Sequence, residues 1–338
     1  MRNIWGRWLL STLLALSLCL IGVAGWVLRD LPLARDVVDL TIEPGTPVRG
    51  IVQLSVDSGV EVNPNWLYWF FRLSGQSRLL RAGSYEINAG DSAWDLLQKI
   101  SRGQESLQAV VLVEGWTFRQ LRSALDRSVH LQHLTRGLSD EAIMAQLGRA
   151  GQAPEGRFFP DTYTHGKGDT DVRVLTRAMK AMDRQLAAAW NHRADAIALE
   201  DAEQALILAS IVEKETGKPS DRSMIASVFH NRLRIGMPLQ TDPTVIYGMG
   251  EAFDGNLRRR DLQTDHPWNT YTRKGLPPTP IAMPGKAALL AAVQPARSNA
   301  YYFVARGDGS SEFSPNLEAH NAAVDRFQRR RNAGSAAP

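Results

Sequence analysis

The chain has 338 residues, a formal net charge of +4 and a single cysteine. The net charge is small, and the arginine runs at Arg258–Arg260 and Arg329–Arg331 are not interleaved with aromatic residues, which argues against nucleic-acid binding. The one cysteine, Cys19, leaves the rest of the chain without a disulfide, a cysteine nucleophile or a cysteine metal site. Its stability must therefore come from a hydrophobic core.

The first element is Trp8–Leu28, an uncharged and strongly apolar run. A helix needs about 20 such residues to cross a bilayer. Arg2 and Arg7 precede the run, so residues 1–7 are expected in the cytoplasm. The pattern predicts a single-pass anchor in the inner membrane, with the remaining chain in the periplasm. A signal peptide cleaved near Val23–Gly25 is the alternative, but the run is long for one.

Residues 37–104 are expected to form a small α+β unit. The predicted elements are a strand at Val37–Ile42, a helix with Thr46 as N-cap and Pro47 at its first position, a helix from Asn63-Pro64, a strand at Gly83–Ile87 and a helix capped by Ser92. This order resembles a LysM-type module, and members of that family bind the glycan chains of cell walls. The alternative is a structural domain that separates the next part of the chain from the membrane.

Residues 107–332 are expected to form a larger mixed α+β domain, because the composition becomes polar near Gly103 and a new apolar strand follows. The fold class is therefore α+β. Residues 333–338 are predicted to be a disordered tail. The predicted elements are strands at Ala109–Val113 and Tyr301–Ala305, and helices at Phe118–Leu125, from Ser139-Asp140, at Asp171–Trp190, Ala202–Lys214, Ser223–Leu233 and Asn316–Arg329.

The helix predicted from Ala202 carries a carboxylate where the pattern expects an apolar residue. Leu208, Ile211, Val212 and Glu215 are spaced i, i+3, i+4 and i+7, so they share one helical face. Glu213 is only two positions from Glu215 and points elsewhere. An apolar surrounding raises the pKa of a carboxyl, which suits a general acid near neutral pH. A buried structural glutamate is the alternative.

Other catalytic patterns are missing from the sequence. It contains no Gly-rich phosphate loop, no His-Glu-x-x-His and no Gly-x-Ser-x-Gly. His130 and His133 have no nearby residues to complete a metal shell. We therefore predict no metal and no cofactor.

Three further stretches carry polar and aromatic side chains. Residues 155–163 combine two acids, three aromatic residues and a proline, which is typical of a sugar-binding cleft or of a packed turn. Residues 239–244 and 269–271 could line a cleft or be ordinary turns.

These stretches also carry a resemblance to a known family. The matching segments are EGRFFPDTY at 155–163, ASIVEKET at 209–216, NRLRIGMPLQTDPTVIYGMG at 231–250, NTY at 269–271 and GLPPTPIAMPG at 275–285. In order and spacing they are similar to the endolytic murein transglycosylases of the MltG (YceG-like) family. The similarity covers essentially the whole chain, including the anchor.

The resemblance implies a lytic transglycosylase, a lyase that cuts the β-1,4 bond between N-acetylmuramic acid and N-acetylglucosamine within a nascent glycan strand. The product would carry a 1,6-anhydro end, and the cut could terminate strand elongation. In that family the second Glu of the Glu-Lys-Glu-Thr element is catalytic, which corresponds to Glu215. The candidate substrate-binding residues are Glu213, Asn231, Gln240, Thr241, Asp242, Tyr247, Glu155, Asp161, Asn269 and Tyr271.

Two alternatives remain open at this stage. One is a hydrolase (muramidase) of the same polymer that uses Glu215 with Asp242 or Asp161 as base. The other is a non-catalytic scaffold that binds the cell wall. The expected partners are peptidoglycan glycan strands and the inner membrane, with peptidoglycan synthases as candidates, because a membrane-tethered enzyme reaches only strands close to the bilayer.

Overall fold

The computed structural model describes residues 2–215 and 218–329. The chain divides into two compact units, the first containing residues up to Ala109 together with Thr164–Asp169, and the second containing Val110–Tyr163 and the residues from Thr170 onward. Helices dominate both units. Within the described residues the strands form three two-stranded sheets, so the fold is mixed α+β, as predicted.

Helix α1 (Arg2–Leu28) contains the apolar run. Its stretch Arg7–Leu28 has a mean hydropathy of 2.1 and is long enough to cross a membrane, a criterion that a signal sequence near an N-terminus also meets. The chain that follows α1 is hydrogen-bonded to the rest of the first unit, since the amide of Leu31 donates to the carbonyl oxygen of Asp91 at 2.7 Å. An isolated β-bridge between Asp30 and Ser92 adds to this attachment.

The strand–helix–helix–strand order expected for residues 37–104 is present. Strands β1 (Val37–Ile42) and β2 (Gly83–Asn88) pair antiparallel along their whole length. Alternate residues of β1 are buried, as a half-buried strand requires. The helices of this unit are α2 (Val48–Ser58), α3 (Pro64–Leu73) and α4 (Ala93–Arg102).

Helix caps in the first unit follow the sequence, with one exception. Asn63 caps α3 by accepting from the amide of Asn65 at 2.9 Å, and Ser92 forms a capping box on α4. Helix α2, however, begins one residue later than expected. Pro47 is its N-cap, and the Thr46 hydroxyl donates instead to the carbonyl oxygen of Glu43 at 2.8 Å.

The next elements of the chain are β3 (Leu107–Val111), α5 (Phe118–Asp126), α6 (Asp140–Gln146), β4 (Thr162–Gly166) and α7 (Asp171–Asn191). Buried residues between Val110 and Met179, with Met283, form one of the two hydrophobic cores of the second unit. Strand β3 lies two residues earlier than predicted, and it is hydrogen-bonded to β4. The rings of Phe118 and Phe158 stack 5.2 Å apart inside this core.

The second core of that unit surrounds one central helix. Helix α8 (Ala202–Glu215) is buried from Ala205 to Val212. It contacts α7 and three later helices, at Arg222–Arg234, Asp242–Met249 and Lys286–Val293. A helix enclosed on all sides has no polar stripe, which explains its apolar sequence. The remaining elements are α9 (Arg222–Arg234), α10 (Asp242–Met249), α11 (Arg259–Gln263), α12 (Lys286–Val293), β5 (Tyr302–Ala305), β6 (Ser311–Ser314) and α13 (Leu317–Val324), followed by a π-helical turn at Asp325–Arg329.

Five of these elements, β4, α10, α11, α12 and β6, were not expected from the sequence. Helix α12 is short and mostly buried, so it lacks the periodic polar face by which a helix is recognised. Helix α10 has a recognisable start, because Asp242-Pro243 follows Thr241 and places proline in the first turn. The predicted tail at 333–338 lies outside the described residues.

Candidate active site

The site is built around the C-terminal end of α8. Helix α8 runs unbroken to Glu215, which is its last residue, as the helical-face argument requires. Leu208, Ile211 and Val212 on the same face are fully buried. Glu215 therefore lies partly buried at the point where this apolar face ends.

The carboxyl of Glu215 is held in a state suited to donating a proton. Burial raises its pKa to about 7, and repulsion from Asp242 acts in the same direction. The hydroxyl of Thr241 donates a hydrogen bond to Oε1 of Glu215, which opposes this rise, as does the positive charge of Arg232. A carboxyl with this pKa is protonated in an appreciable fraction of molecules at neutral pH.

Buried threonines hold Thr241 in place. The amide of Thr241 donates to Oγ1 of Thr270 at 3.1 Å, and the Thr244 hydroxyl donates to the carbonyl oxygen of Thr241 at 2.7 Å. The hydroxyl oxygens of Thr244 and Thr270 are 2.9 Å apart. All three threonines are buried. Their hydrogen bonds therefore fix the position of the Thr241 hydroxyl that donates to Glu215.

Gln240 has an unusual backbone conformation. Its φ is +48°, and it is the one non-glycine residue with positive φ in the described part of the chain. Its amide donates to the carbonyl oxygen of Thr270 at 3.1 Å. Backbone strain of this kind clusters at functional sites, so the conformation of Gln240 marks the segment before Thr241 as a candidate site.

Asp242 and Tyr271 form a second polar pair beside the glutamate. The Tyr271 hydroxyl donates to Oδ1 of Asp242 at 2.5 Å. Burial raises the pKa of Tyr271, and so do the hydrogen bond to Asp242 and the charge of Glu215. The structure thus brings together four of the candidate residues, namely Glu215, Thr241, Asp242 and Tyr271.

Arg232 supplies positive charge at this site, although the sequence did not single it out. It is buried on α9, where its Nη1 donates to the carbonyl oxygen of Leu239 at 2.5 Å and its Nε to that of Tyr301 at 2.7 Å. Arg232 follows Ile225 and Val228 at i+7 and i+4 on the buried face. The spacing rule that indicated Glu215 could therefore have found it.

Glu213 is not solvated, in contrast to its expected place off the apolar face. Its side chain is 7% exposed and lies 3.8 Å from Nη2 of Arg222. Its Oε2 accepts from the amide of Gly285 at 2.9 Å. Burial raises the pKa of Glu213, which the hydrogen bond from Gly285 counteracts. These contacts attach α8 to the segment that leads into α12.

Glu155 and Tyr247 belong to a cleft of about 1170 Å³ within the second unit. Glu155 is buried there, and both of its carboxyl oxygens accept from the amide of Phe118, at 3.0 and 3.2 Å. Burial raises the pKa of Glu155 to about 7. Tyr247 and Trp268 pack edge to face 5.5 Å apart, so the cleft combines a carboxyl with aromatic surface.

Three other candidate residues have their polar atoms engaged elsewhere. The Asn231 amide donates to the carbonyl oxygens of Ser298 and Ala300. Asn269 is buried, and its amide nitrogen has contacts of 2.7, 3.1 and 3.4 Å with backbone carbonyl oxygens between 261 and 264. Asp161 is exposed at the start of β4 and accepts from the Thr162 amide. Asn231 and Asn269 thus hold loops in place through hydrogen bonds to the backbone. Asp161 lies beside the β3–β4 pair.

Residues 2–215 and 218–329 contain no group of three or more His, Cys, Asp or Glu side chains arranged to hold a metal ion.

Comparison with known proteins gives matches over most of the chain. The model of the YceG-like family matches residues 40–326. A Bacillus subtilis protein named endolytic murein transglycosylase is 29% identical over 313 residues, which cover 87% of this chain and 86% of the relative. A Streptococcus pneumoniae protein of the same name is 27% identical over 325 residues, and the match spans 58% of that longer relative.

A solved structure is also similar. The crystal structure of a yceG-like protein from Listeria monocytogenes aligns with a TM-score of 0.55 at 29% identity. The alignment covers 86% of this chain and 99% of the Listeria chain.

Proposed function

The chain belongs to the YceG-like family, and from that membership we propose that it is an endolytic murein transglycosylase. It cleaves the β-1,4 bond between N-acetylmuramic acid and N-acetylglucosamine within peptidoglycan strands and leaves 1,6-anhydro ends. The relatives with that name support the activity. Within this chain the activity is proposed to depend on Glu215, because this half-buried carboxyl has a pKa raised to about 7.

Glu215 performs both proton transfers in the proposed reaction. Its protonated carboxyl donates to the glycosidic oxygen as the bond from that oxygen to the anomeric carbon breaks. The resulting carboxylate then takes the proton of the C6 hydroxyl while O6 forms a bond to the anomeric carbon. The nucleophile is already part of the sugar, so no water is consumed and no second carboxylate is needed.

The neighbours of Glu215 assist by holding its charge and the sugar. The Thr241 hydroxyl stabilises the carboxylate that exists between the two transfers, and the charge of Arg232 does the same. Asp242 and Tyr271 interact electrostatically with Glu215, and Gln240 directly precedes Thr241 in the chain. These three residues are proposed to bind the sugar hydroxyls.

Helix α1 is proposed to anchor the protein in the inner membrane, with the N-terminus in the cytoplasm and both units in the periplasm. The length and hydropathy of Arg7–Leu28 support this. The first unit is proposed to be a LysM-like module that contacts glycan, on the basis of its strand–helix–helix–strand order. Nearby peptidoglycan synthases are proposed partners, and their absence from a pull-down on the intact protein would contradict this.

The decisive experiment combines a conservative substitution with product analysis. Glu215→Gln keeps the size of the side chain but removes the transferable proton, so cleavage of purified glycan strands should fall by roughly 10²–10⁴-fold. Mass spectrometry of the wild-type products should show anhydro ends. Glu213→Gln is the matched control, the same substitution two residues away, and it should retain cleavage. Full activity in Glu215→Gln would refute the mechanism.

A muramidase is the second candidate, because Asp242 lies close enough to Glu215 to raise its pKa. A carboxylate there could activate a water molecule. The same mass spectra distinguish the two reactions, since a hydrolase leaves reducing ends in place of anhydro ends. A wild type that cleaves no glycan at all would favour the remaining alternative, a non-catalytic scaffold that binds the cell wall.

A further inference from the structure

Helix α3 carries a stripe of large apolar side chains on its outer face. Trp66, Trp69 and Leu73 are 62%, 57% and 77% exposed, and they are spaced i, i+3 and i+7. The opposite face of α3 is fully buried through Leu67 and Phe71. The outer stripe is therefore not required for the core, and a protein surrounded by water rarely exposes such a patch without a partner.

Trp26 of α1 determines where this stripe lies relative to the apolar helix. Its ring contacts Trp66 at 6.0 Å and Phe70 at 6.1 Å between centroids, edge to face in both cases. Trp26 precedes the end of α1 by two residues, a distance of roughly 3 Å along the helix axis. The start of the stripe is therefore level with the last turn of α1.

Several contacts after α1 fix the position of this helix relative to the rest of the first unit. Besides the Leu31–Asp91 hydrogen bond and the Asp30–Ser92 bridge, Leu33 pairs with Val60 in a further isolated β-bridge. Trp26 itself packs against the hydrophobic core of that unit. The depth of α1 in a bilayer would thus fix the height of α3.

We propose that α3 is an interfacial helix, with Trp66, Trp69 and Leu73 facing the outer leaflet of the bilayer that α1 crosses. This inference rests on the anchoring proposed above. Tryptophan is enriched where the hydrocarbon core meets the headgroups, because its ring is apolar and its N–H is polar. The first unit is then fixed on the membrane surface by two elements, α1 through the bilayer and α3 along it.

The experiment uses the full-length protein in lipid nanodiscs, with an environment-sensitive fluorophore on one cysteine at a time. The native Cys19 reports on α1. Leu73→Cys reports on the stripe and Glu43→Cys on the exposed turn after β1, both in a Cys19→Ser background. The lipids carry a nitroxide quencher either near the headgroup or at the end of the acyl chain, and thermal unfolding confirms that each variant is folded.

The expected result is a different depth for each probe. The probe at Cys19 should be quenched most by the deep nitroxide. The probe at Leu73→Cys should emit at shorter wavelength and be quenched by the shallow nitroxide about threefold more strongly than the one at Glu43→Cys, as interfacial burial requires.

Two results would overturn the inference, and they can be told apart. If the Cys19 probe is quenched but the Leu73→Cys probe behaves like the Glu43→Cys probe, α1 crosses the bilayer and α3 faces water or another protein. If the Cys19 probe is not quenched by either lipid, the anchoring proposal itself fails, and the inference fails with it.

Discussion

The hydroxyl of Thr241 donates a hydrogen bond to Oε1 of Glu215, so the residue that precedes α10 contacts the residue that ends α8. This hydrogen bond favours the charged form of the carboxyl, whereas burial favours the neutral form. Burial and this hydrogen bond are the two largest effects on the pKa of about 7, and the hydrogen bond can be removed without exposing the carboxyl.

Thr241→Val removes the hydroxyl while keeping the shape of the side chain. Because the charged form of Glu215 loses a donor, its pKa should rise by about one unit. The pH–rate profile of glycan cleavage should show its alkaline limb displaced upward by the same amount. Thr241→Ser keeps a hydroxyl and should leave the limb unchanged. An identical limb in the valine variant would mean that this hydrogen bond does not set the pKa.

The wild-type enzyme should lose activity as the pH rises. A general acid must be protonated, so the rate should be level below the pKa of about 7 of Glu215 and fall about tenfold per pH unit above it. Initial rates on isolated glycan strands between pH 5 and 9 measure this. Burial also raises the pKa of Glu155 to about 7. Glu155→Gln separates the two carboxyls. If Glu215 is the general acid, the loss of rate at alkaline pH should remain in this variant, whereas its disappearance would show that Glu155 causes it.

Glu213 should contribute to stability rather than to proton transfer. Glu213→Ala leaves the Gly285 amide and Arg222 without their partner, and should lower the free energy of unfolding by about 1–3 kcal/mol. Glu213→Gln keeps an acceptor for Gly285, so its loss should be much smaller. Urea denaturation of the two variants provides the comparison. A large loss of cleavage in well-folded Glu213→Gln would place this residue in the chemistry instead.

Gln240 allows backbone strain to be separated from side-chain function. Glycine adopts φ of +48° without strain but has a more flexible unfolded state, so Gln240→Gly should change the free energy of unfolding by less than about 1 kcal/mol. If the side chain binds sugar, cleavage should fall at least about tenfold, the loss of roughly one good hydrogen bond. Gln240→Asn keeps a shorter amide and should retain more activity than the glycine variant. Unchanged kinetics in both would exclude a contact with substrate.

The sequence was informative where a single helix carries the signal. The spacing of Leu208, Ile211 and Val212 places Glu215 on the same side of α8, and the helix runs unbroken to that residue. The burial of Glu213 was not predicted, because its partners Gly285 and Arg222 come from other parts of the chain. Periodicity describes one helix and carries no information about what packs against its other sides.

The candidate substrate-binding residues illustrate the same limit. Asn231 and Asn269 lie in family-like motifs, yet their amides support backbone loops through hydrogen bonds. Thr270 lies within one of those motifs and holds Thr241, a role that only the three-dimensional contact reveals. A motif groups residues that serve a site together, and it does not say which of them face the substrate.

Arg232 gives the C-terminal part of the chain an influence on the active site. One side of its guanidinium donates to the carbonyl oxygen of Leu239, immediately before Gln240, and the other to that of Tyr301, immediately before β5. No candidate site residue lies beyond Tyr271. A chain truncated ahead of Tyr301 would therefore retain every one of them and still lose one of the two carbonyl oxygens that hold Arg232. The positive charge beside Glu215 thus depends on a part of the chain that contains none of the candidate residues.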